Sequence, residues 1–171
     1  MASGRIGHSA GAHLAMWAAA RGRVPTSSPI YAANPLSVRG VINLAGPIDM
    51  TANISGYETL CGDTVITNLL GGTPSAVPER YADVSAAKLL PIGIPQVVFI
   101  GEHEDFVPRP FAEAYVRAAA RAADPVRLFV LLRAGHFELA SPRASTWSAV
   151  KSAIRSLLDG KLPADGAGTH R

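Results

Sequence analysis

Apolar and polar positions alternate along this chain in a way that predicts strands and helices in turn. Short apolar runs bounded by turn residues, typical of strands buried on both faces of a parallel sheet, occur at residues 39–46, 94–101 and 126–132. Helical periodicity, with apolar residues three and four positions apart, occurs at residues 9–21, 110–123 and 141–158. Because strands alternate with helices, we expect an open, mostly parallel α/β sheet.

The same periodicity predicts how the helices are placed. In the first helix, the shared face is expected to consist of Leu14, Trp17, Ala18 and Arg21. Small residues elsewhere on this helix would allow it to lie close to the sheet. The last helix is expected to begin with Ser141 as its N-cap and Pro142 as its first residue.

The connecting segments predict one domain with an excursion. Residues 24–37 contain Pro, Ser and Thr and are predicted to form a loop, whereas residues 47–90 have no dominant period and glycines divide them into short pieces. We expect residues 47–90 to form a cap-like excursion over the sheet, with Tyr57, Leu60 and Tyr81 either in the core or lining a pocket. The domain is expected to cover residues 1–159, followed by a disordered tail over residues 160–171.

Composition narrows the class of protein. The chain has 171 residues, of which 48% are apolar, and no apolar run approaches the ~18 residues of a membrane span. The first residues lack the apolar segment of a secretory signal. Cys61 is the single cysteine, which excludes an internal disulfide and fits a reducing compartment, so we expect a cytoplasmic protein. The net charge of +3 is spread out, which disfavours nucleic-acid binding.

A serine between glycines dominates the candidate chemistry. Residues 7–11 read Gly-His-Ser-Ala-Gly, the pattern of a strand-to-helix turn that exposes a nucleophilic serine. We expect glycine at both ends, because a side chain there would collide with neighbouring backbone. A serine hydroxyl also needs a base and hydrogen-bond donors for the oxyanion, and the backbone N–H of Ala10 is placed to be one such donor.

A base and an acid follow in positions that suit this serine. His136 lies in a glycine-flanked loop just after the last predicted strand, and residues 102–105 supply several carboxylates after the preceding strand. The carboxyl ends of parallel strands meet at one edge of the sheet, where ligands bind. One carboxylate there would accept from His136 and fix its tautomer.

Four motifs in order resemble those of α/β-hydrolases of the esterase, kynurenine-formamidase-like and prolyl-oligopeptidase-like kind. They begin at Gly7, Leu44, Gly101 and Arg133, and read G-H-S-A-G-x-H-L-A, L-A-G-x-x-D, G-x-x-[acid]-x-x-V-P and R-A-G-H-F. The resemblance covers roughly residues 5–158 and concerns the C-terminal portion of the family's fold. It implies that Ser9 is the nucleophile, that His136 is the general base, and that the N–H of Ala10 is one oxyanion donor.

The resemblance leaves alternatives for the acid. The family's acid position falls on Glu104, which we therefore favour over its neighbour Asp105. Adjacent loop residues point in different directions, so only one of the two is expected to serve. Asp49 is a third candidate. It follows the predicted strand over residues 39–46, and some hydrolases place the acid after the corresponding strand. Glu102 and Glu138 are interpreted as solvated.

The chain also departs from the family's pattern at its start. Met1–Gly4 is not strand-like, so the strand before the serine is expected to be a stub. The family's preceding strands, and the loop that supplies a second oxyanion donor, have no counterpart. The sheet edge beside the serine would then be open, which invites self-association or pairing with a partner chain.

The resemblance implies a partial α/β-hydrolase fold with three to four strands. It further implies a serine hydrolase acting on a small ester or amide through a Ser-His-acid triad, with neither cofactor nor metal. One alternative is a truncated, non-catalytic remnant or one part of a split enzyme. A second is a prolyl-oligopeptidase-like peptidase.

Overall fold

A single parallel sheet organises the computed structural model, which describes residues 3–164. Within that range the sheet has four strands, in the spatial order of the chain: β1 Ser3–His8, β2 Val38–Leu44, β3 Gln96–Gly101 and β4 Val126–Leu131. All three pairings are parallel. The predicted fold class, an α/β protein with a mostly parallel sheet of three to four strands, is therefore confirmed.

Helices connect and flank these strands. They are α1 Ala10–Ala20, α2 Ile54–Cys61, α3 Val65–Leu70, α4 Pro78–Val84, α5 Arg109–Arg121 and α6 Trp147–Leu158. Short 3-10 helices cover Arg21–Arg23, Ala86–Lys88 and Glu138–Ala140. Over residues 3–164, none of these helices combines the length and apolar character needed to cross a bilayer.

The strand register brings the carboxyl ends of the strands to one edge. His8 pairs with Leu44, Leu44 with Phe99, and Phe99 with Phe129, whose ring stacks on that of Phe99 at a centroid distance of 5.1 Å. β3 is buried along its whole length, as expected for a strand covered on both faces. The loops after β1, β2, β3 and β4 therefore all leave the sheet on the same side.

The excursion between β2 and β3 has a small apolar core of its own. Its buried members are Met50, Tyr57, Ile66, Leu70, Tyr81 and Val107. Val107 comes from the loop after β3, so this cluster joins the excursion to the candidate acid loop. Tyr81 is fully buried, and its hydroxyl donates to the carbonyl of Gly72 at 3.0 Å, which assigns this tyrosine to the core.

Three elements differ from the sequence-based expectations. β1 is a six-residue strand that includes Ser3 and Gly4 rather than a stub, because its backbone pairs with β2 despite the weak strand propensity of these residues. α6 begins at Trp147, and residues 141–146 form turns that include a bond from the N–H of Ala144 to the carbonyl of Ser141. The expected tail lies largely outside the described residues, since residues 165–171 are not among them.

The face of α1 that packs on the sheet carries small residues, as expected, and is not the face of Leu14. The buried residues are Ala12, Ala15, Met16 and Ala20, whereas the side chain of Leu14 is 60% exposed. Small side chains face the sheet because they let the helix axis come close to β1 and β2. The larger leucine is displaced to the open side of the helix, where it borders a cleft described below.

This close packing makes two glycines sterically necessary. A Cβ atom on Gly7 would lie 2.1 Å from the carbonyl oxygen of Gly11, and one on Gly46 would lie 2.3 Å from the Cβ of Ala12. A Cβ atom on Gly11 would meet nothing within 4 Å, and its φ is not positive. The expectation that glycine is needed at both ends of the serine motif therefore holds for Gly7 and not for Gly11.

Substitution of Gly7 and of Gly11 by alanine should have opposite effects on stability. Gly7→Ala forces backbone to move and is expected to lower the free energy of unfolding by at least ~2 kcal/mol. Gly11→Ala is expected to raise it by about 0.5 kcal/mol, because alanine favours the helix more than glycine does. Thermal or urea unfolding of both variants measures the difference, and equal destabilisation by both would contradict the packing described here.

Candidate active site

Ser9 occupies a strained turn between β1 and α1. Its φ of 54° and ψ of −126° lie in a region that non-glycine residues rarely adopt, and such a residue typically costs ~1–3 kcal/mol. Surrounding bonds hold it there: its N–H donates to the carbonyl of Leu44 at 2.9 Å, and its own carbonyl accepts from the N–H groups of Ala12 and His13. The turn therefore presents a serine at the carboxyl edge of the sheet, with Ala10 beginning the helix behind it.

His136 and Glu104 form a buried pair at the same edge. Nδ1 of His136 lies 2.8 Å and 3.0 Å from the two carboxylate oxygens of Glu104. Their side chains are only 3% and 1% exposed. The N–H groups of Phe106 and Val107 also donate to Glu104 Oε1, at 2.8 Å and 3.0 Å. A carboxylate so removed from water needs this set of donors to offset its desolvation.

The other two candidate acids are placed elsewhere. Asp105 is exposed, although it directly follows Glu104. The carboxylate of Asp49 accepts from the N–H and hydroxyl of Thr51 and lies 3.2 Å from the ammonium group of Lys88. Burial opposes ionisation of Asp49, but these bonds to Thr51 and Lys88 prevail and lower its pKa. Of the three carboxylates, the structure thus brings Glu104 to His136.

Two further acidic residues hold the histidine loop. Glu138 accepts a hydrogen bond from the N–H of Gly135 at 2.9 Å, and Glu102 accepts one from the N–H of Arg133 at 2.8 Å. The sequence analysis assigns both carboxylates to solvent, and the structure adds these backbone hydrogen bonds. They border a tight crossing in which a Cβ atom on Gly101 would lie 2.4 Å from the carbonyl oxygen of Ala134. The loops after β3 and β4 are therefore braced against each other.

His8 connects the serine turn to the histidine loop. Its Nε2 lies 2.9 Å from the backbone carbonyl of His136, and the two imidazole rings are 4.5 Å apart between centroids. Because a carbonyl only accepts, Nε2 of His8 must carry the proton of this bond. The ring of Phe106 stacks on His136 at 4.4 Å. No pattern in the sequence singles out Phe106 as part of this cluster.

Asn43 in β2 is a further residue of the site that the sequence pattern did not indicate. The buried amide of Asn43 accepts from the N–H of Gly46 at 2.8 Å and donates to its carbonyl at 3.2 Å. This pair fixes the turn after β2, where Gly46 packs against α1. The available signal was an amide side chain within an otherwise apolar strand, which is costly to bury unless it is hydrogen-bonded.

A cleft of about 440 Å³ opens beside Ser9. On the side of α1, the wall of this cleft consists of Ser9, Ala10, His13 and Leu14. The rest of the wall comes from the excursion and the acid loop: Pro47, Met50, Tyr57, Leu60, Cys61, Val65, Ile66, Leu69, Phe106 and Val107. Burial lowers the pKa of His13 despite its bond to Pro47, so its ring is neutral near pH 7. Tyr57 and Leu60, whose places the sequence left open, both line this cleft.

Charged groups lie in a separate, smaller cavity of about 210 Å³. Asp49 and Lys88 are among its lining residues, and Tyr57 and Pro47 separate it from the cleft because they line both spaces. Burial, together with the negative charges of Asp49 and Glu104, raises the pKa of Tyr57 to about 12, so its hydroxyl keeps its proton. Among residues 3–164, no three His, Cys, Asp or Glu side chains are grouped to hold a metal ion.

Several solved structures have the same fold as this chain. A bifunctional GH43-CE protein of Bacteroides eggerthii has a TM-score of 0.67 and 20% identity, and the match covers 91% of this chain and 23% of that protein. A thermophilic esterase of Thermogutta terrifontis, solved with propionate bound, has a TM-score of 0.62 and 20% identity, covering 95% and 58% of the two chains. A truncated carbohydrate esterase from gut microbiota has a TM-score of 0.59 and 19% identity, covering 77% and 51%.

These likenesses establish the α/β-hydrolase fold, and this chain spans between 23% and 58% of the length of those proteins. No curated protein sequence matches the chain significantly. A model of the BD-FAE family matches residues 3–116, about two thirds of the chain. The chain therefore belongs to the BD-FAE family and has the fold of the α/β-hydrolases.

Proposed function

We propose that this chain carries the catalytic residues of a serine esterase, with Ser9 as nucleophile, His136 as general base and Glu104 as the acid that orients the histidine. The observation that carries the proposal is the buried His136–Glu104 pair at the sheet edge where Ser9 occupies its strained turn. Strained serines and buried imidazole–carboxylate pairs are both costly to maintain, and their coincidence at one edge of the sheet favours a catalytic role.

The bond between His136 and Glu104 sets the chemistry of the imidazole. Donation from Nδ1 to the carboxylate leaves Nε2 as the basic nitrogen. When Ser9 attacks an ester carbonyl, its hydroxyl proton passes to Nε2, and the buried carboxylate stabilises the imidazolium that forms. The proton then goes to the leaving alcohol, and water releases the acyl group by the same route.

Proximity of Ser9 to His136 is supported by His8. His8 directly precedes the serine, and its side chain bonds to the backbone carbonyl of His136 itself. The nucleophile and the base are thus attached to the two ends of one hydrogen bond. The N–H of Ala10, at the N-terminus of α1, is proposed as one oxyanion donor, since the helix dipole favours negative charge there.

An ester is the proposed substrate because two of the structural neighbours described above are esterases by name. One of them, the Thermogutta terrifontis esterase, has also been solved phosphonylated by sarin. An amide or peptide bond remains a proposed alternative with the same catalytic residues. The other alternative, one part of a split or non-catalytic hydrolase, draws support from β1, an edge strand within residues 3–164 whose Ile6 side chain is 45% exposed.

The proposed function first predicts the effect of replacing Ser9 and His136. Ser9→Ala and His136→Gln are each expected to lower the rate of p-nitrophenyl acetate hydrolysis at least ~10³-fold, because they remove the nucleophile or its base. Labelling by a fluorophosphonate probe should vanish in Ser9→Ala, while Ser27→Ala, at an exposed loop position, serves as the matched control.

Two outcomes would count against this assignment. Undiminished labelling of the Ser9→Ala protein would exclude Ser9 as the nucleophile. A folded wild-type protein that neither takes the label nor hydrolyses the ester would favour the non-catalytic or split alternative.

A second prediction separates the two adjacent carboxylates. Glu104→Gln is expected to lower kcat ~10²–10⁴-fold, since a neutral amide neither stabilises the imidazolium nor enforces the required tautomer. Asp105→Asn should change kcat less than about twofold, because this side chain is exposed. Steady-state kinetics of both variants, with circular dichroism as a check of folding, would refute the assignment of Glu104 if the larger loss followed Asp105→Asn.

A third prediction tests His8 as a positioning residue. His8→Phe removes the donor to the carbonyl of His136 and is expected to lower kcat about tenfold with KM nearly unchanged. His8→Gln, whose amide is also a donor, should restore most of that loss. A variant pair with equal activities would show that the ring fills space and does not hold the histidine loop.

A further inference from the structure

The cleft beside Ser9 has a composition that restricts its ligand. Its fourteen lining residues include no Asp, Glu, Lys or Arg, and most are apolar. His13 is kept neutral by burial, and the ion pair of Asp49 with Lys88 borders the neighbouring cavity instead. A group that enters this cleft finds few polar partners, so sugar hydroxyls or a carboxylate would lose hydration there without compensation.

The rim of the cleft exposes an unusual amount of large apolar side chain. Leu69 is 73% exposed, Leu14 60%, Leu60 49% and Val65 39%. These residues come from three different helices, α1, α2 and α3, and all four border the same cleft. Scattered exposed leucines need no explanation, but a contiguous patch around a cleft marks a binding surface.

The cleft also lies on a definite side of the serine. Its wall contains Ser9 and Ala10, the proposed nucleophile and oxyanion donor, but His136 is not among its lining residues. The leaving alcohol must receive its proton from His136, whereas the acyl group remains bonded to Ser9. The acyl group is therefore the part of the substrate that the cleft faces.

From these observations we infer that the cleft binds an uncharged aliphatic acyl chain of about six to ten carbons, with the alcohol outside it. The inference rests on the proposed esterase function. The volume sets an upper bound on the length: 440 Å³ is about fifteen times the ~30 Å³ that one water molecule occupies, and the cleft is open on one side, so a chain fills only part of it. Leu69 and Leu60 border the cleft and would contact such a chain.

Turnover of matched esters tests the inference. From p-nitrophenyl acetate to the hexanoate, kcat/KM is expected to rise about tenfold to fiftyfold, since each buried methylene contributes up to a factor of ~4. Ethyl hexanoate should be cleaved at least tenfold faster than its isomer hexyl acetate, which carries the same carbons on the alcohol. Faster cleavage of hexyl acetate, or of ethyl cinnamate, would overturn the aliphatic acyl assignment.

Leu69 and Leu36, which are similarly exposed, provide a matched pair of variants. Leu69→Gln is expected to lower the ratio of hexanoate to acetate turnover about threefold to fivefold. Leu36→Gln should leave that ratio unchanged, because Leu36 is 71% exposed but does not border the cleft. Glutamine retains the helix propensity of leucine at position 69. An equal effect of the two substitutions would contradict the placement of the chain.

A binding measurement separates this inference from the proposed function. In the Ser9→Ala protein, methyl octanoate should bind about tenfold more tightly than methyl butyrate, as measured by thermal stabilisation, and Leu69→Gln should reduce that difference. Turnover without dependence on chain length would overturn this inference and leave the esterase function standing. Binding that depends on chain length, without any turnover by the wild type, would support the cleft assignment and overturn the esterase function.

Discussion

The buried carboxylate of Glu104 is the group on which the arrangement at the sheet edge depends. A carboxylate with 1% exposure is tolerable only because the imidazole of His136 and the N–H groups of Phe106 and Val107 surround it. Those donors belong to two different loops, after β3 and after β4. Satisfying one charge therefore fixes the relative positions of both loops, and it also fixes which nitrogen of His136 faces outward.

Hydrogen bonds connect this pair to β1 through His8, the last residue of that strand. His136 is held through its side chain by Glu104 and through its backbone carbonyl by His8. Phe106, whose N–H binds the carboxylate, also stacks its ring on the imidazole. The same few residues therefore serve electrostatic and packing functions together. The ion pair of Asp49 with Lys88 borders the neighbouring cavity, and the lining of the cleft beside Ser9 is mostly apolar.

The sequence predicted the strands well because buried parallel strands are short apolar runs between turn residues, as in β3. It also predicted that the loops carrying Ser9, Glu104 and His136 follow their strands at one edge of the sheet, since the loops after parallel strands emerge together. It failed for β1, where Ser3 and Gly4 have little strand propensity of their own and depend on pairing with β2. For α1 it correctly indicated that small residues pack on the sheet, whereas the periodic apolar face of Leu14 is left on the open side of the helix. The choice between Glu104 and Asp105 depends on local loop geometry, which periodicity does not encode.

The bond between His8 and His136 has a mechanical consequence. Among the four strands of residues 3–164, β1 is at one end of the order and the loop of His136 follows β4 at the other, so this bond joins the two outer strands across the carboxyl edge of the sheet. Parallel sheets twist, and the twist sets how far apart their outer strands lie at each edge. The distance between Ser9 and His136 is therefore coupled to the twist of the whole sheet. Core residues of β2 and β3 that never approach the cleft consequently share in setting the alignment of the site.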